Sequence, residues 1–367
     1  MNKICHITTV HPRYDIRIFY KECSSLAKKY DVSLIVADGL KNENNNNVNI
    51  IDIGLRQKSR LKRMFIDSKK AFNKAKALNC DVYHFHDPEL IFIGLKLKKL
   101  GKKVIYDVHE DIPKQVGNRK AIPFFLRPLV SFIIEKIENK LSSRLNAITT
   151  STPYIKNRLN KFNDNVITVK NYPIISEFQK NEWQNKRNNI CYVGAITKDR
   201  GIFELLESFN YQDNRLILAG TFDNSNIENE CKNHINWNKI NYKGFVNRKE
   251  ISEILHESKA GIVTLLPIVN YLDSLPIKMF EYMAAGIPVI ASNFPLWKEI
   301  IEKNNYGICV DPTNPKEIAN AINKLLKDDE LAEEMGENGR KIIEEKYNWE
   351  NEGKKLINLY SKLFTKN

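Results

Sequence analysis

Short apolar runs alternate with amphipathic stretches along the whole chain, and this alternation leaves few folds open to it. The strand-like runs of the first half are KICHITTV, DVSLIVAD, DVYHFHD, KKVIYDVH and NAITTST. The pattern restarts in the second half with NNICYVGAI, RLILAG, AGIVTL, IPVIAS and YGICV. Strands that alternate with helices in this way form parallel sheets. The sequence therefore predicts an α/β fold of two doubly wound, Rossmann-like domains facing a central cleft, with ligands at the carboxyl ends of the strands.

The length of the chain and one polar segment set the expected domain boundaries. A chain of 367 residues is too long for one typical core and suits two domains. Residues 174–189 are polar and lack a clear period, which predicts a linker between an N-terminal domain at 1–173 and a C-terminal domain at 190–346. The segment 347–367 has apolar residues at helical spacing, and our hypothesis is that it packs back on the N-terminal domain.

Composition narrows the possible partners and compartment. The net charge is +13, so an anionic partner is expected, and nucleotide phosphates, acidic lipid headgroups and nucleic acid all fit that sign. The six cysteines show no CxxC spacing, which favours buried, reduced thiols in a cytosolic protein. The chain starts without a basic-then-apolar leader, and no apolar run reaches the ~18 residues that a membrane span needs. We therefore expect a cytoplasmic protein.

The segment DSLPIKMFEYMAAGIP at 273–288 is the most informative part of the chain. Pro276 is suited to the first turn of a helix, and a glycine and a second proline stop that helix. Lys278 and Glu281 are three residues apart and share a face, and Asp273 lies just ahead of the helix. A cation and free backbone N–H groups at a helix start are suited to a pyrophosphate. The structural alternative is an ordinary helix with a surface Lys–Glu pair.

Two motifs of the second half resemble those of a known enzyme family. FEYMAAGIPVIAS is similar to the signature of the family 4 glycosyltransferases, retaining enzymes of the GT-B fold, with Glu281 as its second acidic residue. Asp273 stands eight residues earlier, where the family more often has Glu. VGAITKDRG, which contains Gly194 and Arg200, resembles the family's pyrophosphate-gripping loop, although Ala195 replaces a frequent Arg. The resemblance implies donor binding by Gly194, Arg200, Lys278, Asp273 and Glu281.

The first half resembles a bacterial polysaccharide-biosynthesis subgroup of this family through HPRYDIR at 11–17. The resemblance implies that the N-terminal domain binds the acceptor and the C-terminal domain binds the nucleotide sugar. Asp15, Arg17 and Glu110 are predicted to contact the acceptor or line the cleft; for Asp15 and Arg17 an interdomain ion pair is the alternative. In the family a His at the end of the IYDVHED strand, His109 here, lies beside the donor sugar and supports the oxocarbenium charge.

The expected reaction is retaining transfer from a nucleotide diphosphate sugar to a hydroxyl group. Arg200, Lys278 and the helix start would stabilise the leaving diphosphate in place of a metal, and no Asp-x-Asp pair is found at a strand end. We interpret HFHDPE at 84–89 as cleft-lining or core and predict neither a metal nor a cofactor. We expect a UDP-sugar donor and a saccharide acceptor, lipid-linked, in O-antigen or capsule synthesis. The base, the sugar and the acceptor stay open.

Two basic and apolar stretches of the first half raise the question of membrane contact. The stretch 60–78 has apolar residues at helical spacing, which favours packing on the sheet. The stretch 118–134 is more apolar and contains prolines, so it is the better candidate for anionic headgroups of the inner membrane surface. Its predicted membrane contacts are Arg119, Lys120, Phe124, Phe125 and Arg127.

Two other functions are compatible with parts of the pattern. A nucleotide-sugar 2-epimerase also binds UDP-sugars with the GT-B fold, but its motifs differ from the FEYMAAGIP run. A non-enzymatic nucleic-acid-binding protein would explain the basic charge. The chain shows no interleaved aromatic platform, helix-turn-helix signal or zinc motif, so we do not expect a nucleic-acid partner.

Overall fold

The chain folds as two α/β units, each built around one sheet. The computed structural model describes residues 1–117, 122–179 and 182–365. The first unit consists of Met1–Asn171 and Asn351–Asn367, and the second of Tyr172–Glu350. None of the helices in the described ranges has the length and apolar character that crossing a bilayer requires.

In the described part of the first unit, eight strands form one sheet. They are β1 Lys3–Ile7, β2 Asp31–Val36, β3 Glu43–Asn45, β4 Val48–Asp52, β5 Val82–Phe85, β6 Lys103–Val108, β7 Ala147–Thr150 and β8 Val166–Thr168. Their order is β3-β4-β2-β1-β5-β6-β7-β8; β3 runs antiparallel to β4 and the other pairs are parallel. The order reverses between β1 and β5, so the segments that follow these two strands meet at the switch point where such sheets bind ligands.

Helices cover this sheet because its strands are apolar on both faces. A π-helical stretch Ile16–Cys23 continues as Ser24–Leu26. The other helices are Arg60–Lys62, Arg63–Asp67, Ser68–Leu78, Ile91–Lys99, Ile112–Gly117, Arg127–Ser142 and Pro153–Leu159, with short 3₁₀ turns at Pro88–Leu90 and Phe124–Leu126. The last helix of the chain, Trp349–Thr365, belongs to the first unit from Asn351 onward. Its buried apolar side chains from Asn351 onward are Leu356, Leu359, Tyr360 and Leu363.

Among the described residues of the second unit, six parallel strands form the sheet, in the order β11-β10-β9-β12-β13-β14. They are β9 Asn189–Val193, β10 Arg215–Ala219, β11 Ile240–Gly244, β12 Ala260–Val263, β13 Val289–Ser292 and β14 Gly307–Val310. The helices are Ile202–Ser208, Ser225–Lys232, Arg248–Glu257, Val269–Leu272, Ile277–Ala284, Pro295–Ile301, Pro315–Lys327 and Asp329–Glu345, with 3₁₀ turns at Ile175–Glu177, Trp183–Asn185, Lys198–Arg200 and Trp237–Lys239. The order reverses between β9 and β12, which marks the switch point of this sheet.

The structure places the boundary between the units before the segment predicted as a linker. The second unit begins at Tyr172, and the segment 174–189 lies inside it. Phe178 is buried in the core of the second unit, and Trp183 packs into that unit's other apolar cluster. Two aromatic side chains in a polar run are enough to anchor it, and the sequence pattern did not reveal them because they show no period.

Candidate functional site

The loop that follows β9 depends on glycine at two positions. Gly194 and Gly201 have φ angles of 132° and 73°, which side chains rarely adopt. A Cβ atom at Gly201 would lie 2.2 Å from the carbonyl oxygen of Thr264, at the end of β12. Glycine therefore lets the β9 loop pass close to the neighbouring strand at the switch point. The Ile202–Ser208 helix starts immediately afterwards.

Lys278 is a buried cation without a hydrogen-bond partner. Its side chain comes from the first turn of the Ile277–Ala284 helix and is 7% exposed. Among the described residues no group accepts a hydrogen bond from its ammonium nitrogen, which lies 3.6 Å from the centroid of the Tyr192 ring. Burial, together with the nearby Arg200, lowers the pKa of Lys278 well below its usual value. An anion at this position would replace the hydration that the ammonium has lost.

Arg200 brings a second positive charge to the same place. Measured from the position that a Cβ on Gly194 would take, Arg200 Nη1 lies at 3.5 Å and Lys278 Nζ at 4.0 Å. The Ile277–Ala284 helix begins at Pro276 without a capping side chain among the described residues, so its first N–H groups remain available. Two cations, a glycine and an open helix start at one switch point have the charge and hydrogen-bond donors that suit a phosphate or diphosphate.

Glu281 lies one turn further along this helix and is paired with an arginine. It is buried, and its Oε1 accepts a hydrogen bond of 2.7 Å from Arg248 Nη1. Arg248 also bonds to Glu177, so the orientation of Glu281 is fixed from outside its own helix. Asp273 is exposed and ends the Val269–Leu272 helix. The structure thus brings Lys278, Arg200 and Gly194 together and places Glu281 beside them on the same helix.

Asp107, near the end of β6, is the centre of a buried polar network in the first unit. Arg17 donates to both carboxylate oxygens, at 3.0 and 2.9 Å, and Thr149 donates at 2.8 Å. His86 Nδ1 and His109 Nε2 lie 3.1 and 2.7 Å from Asp107 Oδ2. Burial alone would raise the pKa of Asp107, but Arg17 and His109 hold it well below its usual value. The carboxylate is therefore ionised and able to orient both imidazoles.

His109 is half-buried and follows β6 directly. Because its Nε2 faces the Asp107 carboxylate, that nitrogen carries a proton, and Nδ1 is the free position of the ring. The His109 ring stacks on His11, with 5.2 Å between centroids, and His11 lies 3.5 Å from Asp15. Although burial alone would raise the pKa of Asp15, His11 and backbone N–H groups lower it to about 2. The segments after β1 and β6 thus hold His109 in one orientation.

The structure gives the other predicted residues of the first unit different surroundings. Arg17 is 3% exposed, and Asp107, Glu22 and the Val169 carbonyl take up its guanidinium group. Arg17 therefore lies in the interior of this unit and does not line its surface. It is buried there because the buried Asp107 carboxylate needs a cation as its partner. Asp15 caps the Ile16–Cys23 helix through the N–H groups of Arg17 and Ile18. Glu110 is exposed and bonds to Gln115.

The predicted membrane contacts are only partly within the described residues. Arg119 and Lys120 lie outside them. Phe124 and Phe125 are 78% and 67% exposed, whereas Arg127 is half-buried and donates to the carbonyl of Ile122 at 2.8 Å. The Arg127–Ser142 helix extends the exposed apolar surface with Leu129, Phe132, Ile133 and Ile137. We call these four residues, with Phe124 and Phe125, the aromatic surface.

Comparison with known protein families decides the class of the chain. The model described as Glycosyl transferases group 1 matches residues 174–342, within the second unit. The model described as Glycosyltransferase Family 4 matches residues 17–171, within the first unit. The chain is a glycosyltransferase.

Two relatives are similar in sequence over most of this glycosyltransferase. An uncharacterized glycosyltransferase of Methanocaldococcus jannaschii is 26% identical over 310 residues, which cover 76% of this chain and 75% of the relative. The capsular polysaccharide biosynthesis glycosyltransferase CapM of Staphylococcus aureus is 25% identical and covers 98% of this chain and 97% of its own.

Solved structures confirm the GT-B fold predicted for this glycosyltransferase. Sucrose-phosphate synthase from Thermosynechococcus elongatus superimposes with a TM-score of 0.79 at 17% identity, over 100% of both chains. HepE of Anabaena, solved in complex with UDP and glucose, superimposes with a TM-score of 0.74 at 12% identity, over 99% of this chain and 100% of its own. At these identities the likeness shows the fold alone.

Three buried or ion-paired side chains of the candidate site were not predicted from the sequence of this glycosyltransferase. Arg248, which fixes Glu281, lies 33 residues before it, and Asp107 meets Arg17 across 90 residues. Glu22 is fully buried beside both Arg17 and the histidines of the first sheet. The only local signal was a charged residue inside an apolar run, as in VIYDVH, which predicts a buried charge with a distant partner but does not name the partner.

Proposed function

We propose that the chain is a retaining, metal-independent glycosyltransferase of family 4 that transfers a sugar from a UDP-sugar to a saccharide hydroxyl. The observation that carries the proposal is the Lys278 ammonium, which is buried beside Arg200 and Gly194 and has no hydrogen-bond partner in the part of the chain that the structure describes. A buried cation without a counter-ion is costly, and the leaving diphosphate supplies the missing charge. HepE has been solved with UDP and with UDP-glucose, and an E. coli protein of the same fold has been solved with UDP-2-fluoro glucose; these complexes support a nucleotide-sugar donor.

In this proposal the second unit binds and activates the leaving group. The acceptor oxygen bonds to the anomeric carbon as the bond from that carbon to the β-phosphate oxygen breaks, on the same face, so the configuration is retained. Lys278, Arg200 and the N–H groups at the helix start stabilise the charge on the departing diphosphate. A phosphate oxygen of the leaving group takes the proton of the acceptor hydroxyl. These fixed cations supply the charge that a divalent metal supplies in metal-dependent transferases.

The remaining site residues have binding and orienting roles in the proposal. Glu281, held by Arg248, accepts hydrogen bonds from the ribose hydroxyls, and Asp273 accepts from the donor sugar. His109 supports the positive charge that develops on the sugar ring, and the Asp107 carboxylate strengthens this role by holding the proton on Nε2. Asp15 and Glu110 are proposed to contact the acceptor.

We further propose that the acceptor is a lipid-linked saccharide in capsule or O-antigen synthesis. The similarity to CapM, whose name refers to capsular polysaccharide biosynthesis, supports this setting. The aromatic surface supports it as well, because six exposed apolar side chains near one helix are more than a solvated surface explains. The enzyme would then work in the cytoplasm, with this surface against the anionic inner membrane and without a nucleic-acid partner.

The proposal is tested by measuring thermal stability and donor hydrolysis with a panel of nucleotide sugars and EDTA present, for the wild type and Lys278→Ala. We expect one donor to stabilise the wild type and to be hydrolysed slowly without metal, and we expect the folded variant to lose both effects. If no nucleotide or nucleotide sugar stabilises the wild type, the proposed donor site is wrong. Stabilisation by oligonucleotides instead would favour the nucleic-acid-binding alternative.

A further inference from the structure

Three histidines and a glutamate meet inside the first unit, apart from the groups that act on the donor. His6 on β1 is directly paired with His84 on β5, and His86 follows two residues later on the same side of the sheet. Glu22 reaches them from the Ile16–Cys23 helix. Three of these side chains are completely buried, and His86 is 3% exposed. From the sequence alone we interpret HFHDPE as cleft-lining or core, because the sequence does not show that Glu22 and His6 lie beside it.

The nitrogen and oxygen atoms of this cluster point toward one another. His6 Nδ1 lies 2.9 Å from His86 Nε2. Glu22 Oε2 lies 4.0 Å from His6 Nδ1 and 3.8 Å from His84 Nδ1, and it has no hydrogen-bond partner among the described residues. The four ligand-type atoms all lie within 4.8 Å of one another. Arg17 Nε lies 3.1 Å from the other oxygen of Glu22, but burial and the nearby Asp107 raise the pKa of Glu22 well above its usual value.

The surrounding hydrogen bonds determine which ring nitrogens carry protons. Arg17 donates to both oxygens of Asp107, so this carboxylate only accepts, and Thr149 gives it the hydroxyl hydrogen, at 2.8 Å. His84 Nε2 must therefore donate to Thr149, at 3.2 Å, and its Nδ1 is left as a lone pair. For the same reason His86 Nδ1 donates to Asp107, at 3.1 Å, and its Nε2 is left as a lone pair.

The position of the proton on the His6 ring follows from its contact with the hydroxyl group of Tyr360. Tyr360 lies 2.9 Å from the lone pair of His84 Nδ1 and gives its hydrogen there. His6 Nε2 must then donate to the Tyr360 oxygen, at 3.1 Å, which leaves His6 Nδ1 as a lone pair. Two imidazole lone pairs therefore face each other at 2.9 Å, with the buried Glu22 carboxyl group 3.8–4.0 Å from His84 and His6. Such a group of acceptors is stable only around a cation.

We propose that this cluster is a structural zinc site formed by Nδ1 of His6, Nδ1 of His84, Nε2 of His86 and the carboxylate of Glu22. Three imidazoles and one carboxylate are a donor set that Zn²⁺ accepts in tetrahedral geometry. With bonds of about 2.0–2.2 Å, tetrahedral ligand atoms are about 3.3–3.5 Å apart, within the range of separations found here. When the metal binds, Tyr360 gives up its bond to His84 and keeps the bond from His6.

The groups that accept hydrogen bonds from the three imidazoles support a metal more strongly than the distances between the ligand atoms do. Each ligating imidazole donates its other N–H to a defined acceptor: His6 to Tyr360, His84 to Thr149 and His86 to Asp107. This arrangement fixes the tautomer and ring orientation that metal binding needs, and His86–Asp107 is a carboxylate–histidine–metal arrangement. The site connects β1, β5 and the Ile16–Cys23 helix. The Trp349–Thr365 helix contributes Tyr360, which accepts the hydrogen bond from His6. Its role is stability, and no step of the transfer reaction passes through it.

The site is tested by metal analysis of the full-length chain. Wild type, Glu22→Gln and Tyr360→Phe are produced with zinc in the medium, dialysed against metal-free buffer and analysed by mass spectrometry. His234→Asn is the matched control, because His234 lies in the second unit and bonds to Glu207. We expect about one zinc per chain in the wild type and the control, affinity reduced about tenfold or more in Glu22→Gln, and a smaller loss in Tyr360→Phe.

Two further readouts make the result decisive. Co²⁺ added to the metal-free wild type should give the visible absorption bands of a tetrahedral site, and Zn²⁺ should raise its melting temperature but not that of Glu22→Gln. The proposal is overturned if the folded wild type takes up no more zinc than Glu22→Gln and shows neither effect; a proton shared by His6 and His86 then occupies the position. If Glu22→Gln does not fold, Tyr360→Phe, which keeps the packing, gives the comparison. Lys278→Ala should keep its zinc, so this test and the donor test fail independently.

Discussion

At the scale of single residues, Lys278 combines a functional advantage with a cost in stability. Its ammonium is buried without a hydrogen bond, whereas the nearby buried Lys186 donates to the carbonyls of Leu255 and His256. We expect Lys278→Met to lose donor binding and to raise the free energy of unfolding by about 1–3 kcal/mol, because an uncompensated charge is removed. Lys186→Met should destabilise the protein instead. Urea denaturation and UDP titration of both variants measure the contrast.

The lowered pKa of Lys278 also determines how the stability difference between the wild type and Lys278→Met changes with pH. The pKa of Lys278 is lowered by folding, so between that value and the unfolded pKa of about 10.4 the unfolded chain binds more protons. The stability of the wild type therefore rises with pH in this window, because the free energy needed to neutralise the lysine on folding falls as the pH approaches its unfolded pKa. The advantage of Lys278→Met should be largest below the lowered pKa and should shrink toward about pH 10. An advantage that is constant with pH would contradict the assignment of the cost to the buried charge.

Removing the charge of Asp107 should have the opposite effect on stability, because Arg17, Thr149, His86 and His109 all contact this carboxylate. Asp107→Asn leaves Arg17 buried without its main counter-charge, and we expect a loss of about 3–5 kcal/mol in the free energy of unfolding near neutral pH. Folding lowers the pKa of Asp107, so its contribution is present above about pH 4 and is lost as the pH falls through the folded pKa. Unfolding of wild type and variant at both ends of this range tests it.

The control for Asp107 is an aspartate on the surface of the same sheet. Asp81 is exposed and accepts a bond from the Lys3 N–H at the edge of β1. Asp81→Asn should cost less than about 1 kcal/mol near neutral pH. If the two variants lose equal stability, the network around Asp107 has no special energetic role.

At the scale of elements, the sequence predicted the second-unit site better than the first. Gly194, Arg200 and Lys278 follow strands that the fold makes neighbours, so a correct reading of the strands brings them together at the switch point. Arg17 differs, because its partner Asp107 depends on how the Ile16–Cys23 helix lies on the sheet. Local pattern fixes which face of a helix is buried, but not which charged residue meets it there. Phe178 shows the same limit for the domain boundary.

The aromatic surface makes a prediction that belongs to the Arg127–Ser142 helix and the turn before it. A double variant Phe124→Ser/Phe125→Ser removes two of its most exposed side chains. Burying each ring in a lipid interface contributes about 1.5–3 kcal/mol, so binding to vesicles containing phosphatidylglycerol should fall by more than about tenfold. Co-sedimentation measures it, with pure phosphatidylcholine vesicles as the neutral comparison.

The second unit offers a matched control for this experiment. Phe245 is 79% exposed but lies outside the aromatic surface. Phe245→Ser should bind the anionic vesicles as the wild type does. Equal losses in both variants would point to a general effect of exposed rings, and a wild type that does not sediment with these vesicles would remove the membrane from the proposal.

At the scale of the whole molecule, the last helix belongs to a different unit from the sequence that precedes it. The chain leaves the second unit at Glu350, and the residues from Asn351 onward are part of the first unit. Leu356 and Leu359 are buried there, at 0% and 3% exposure. Stability of the first unit therefore depends on both ends of the sequence, whereas the Lys278 site uses residues of the second unit alone.

This division leads to a prediction that separates the two units. We expect Leu356→Ala to lower the stability of the first unit by about 2–5 kcal/mol, because a buried side chain is removed and a cavity remains. UDP affinity, measured by calorimetric titration below the melting temperature, should stay within about twofold of the wild type, since each unit has its own core. In differential scanning calorimetry the variant should melt earlier, and UDP should still stabilise the transition of the second unit. Loss of UDP binding by the folded variant would show that the donor site depends on the first unit and would contradict its assignment to the second.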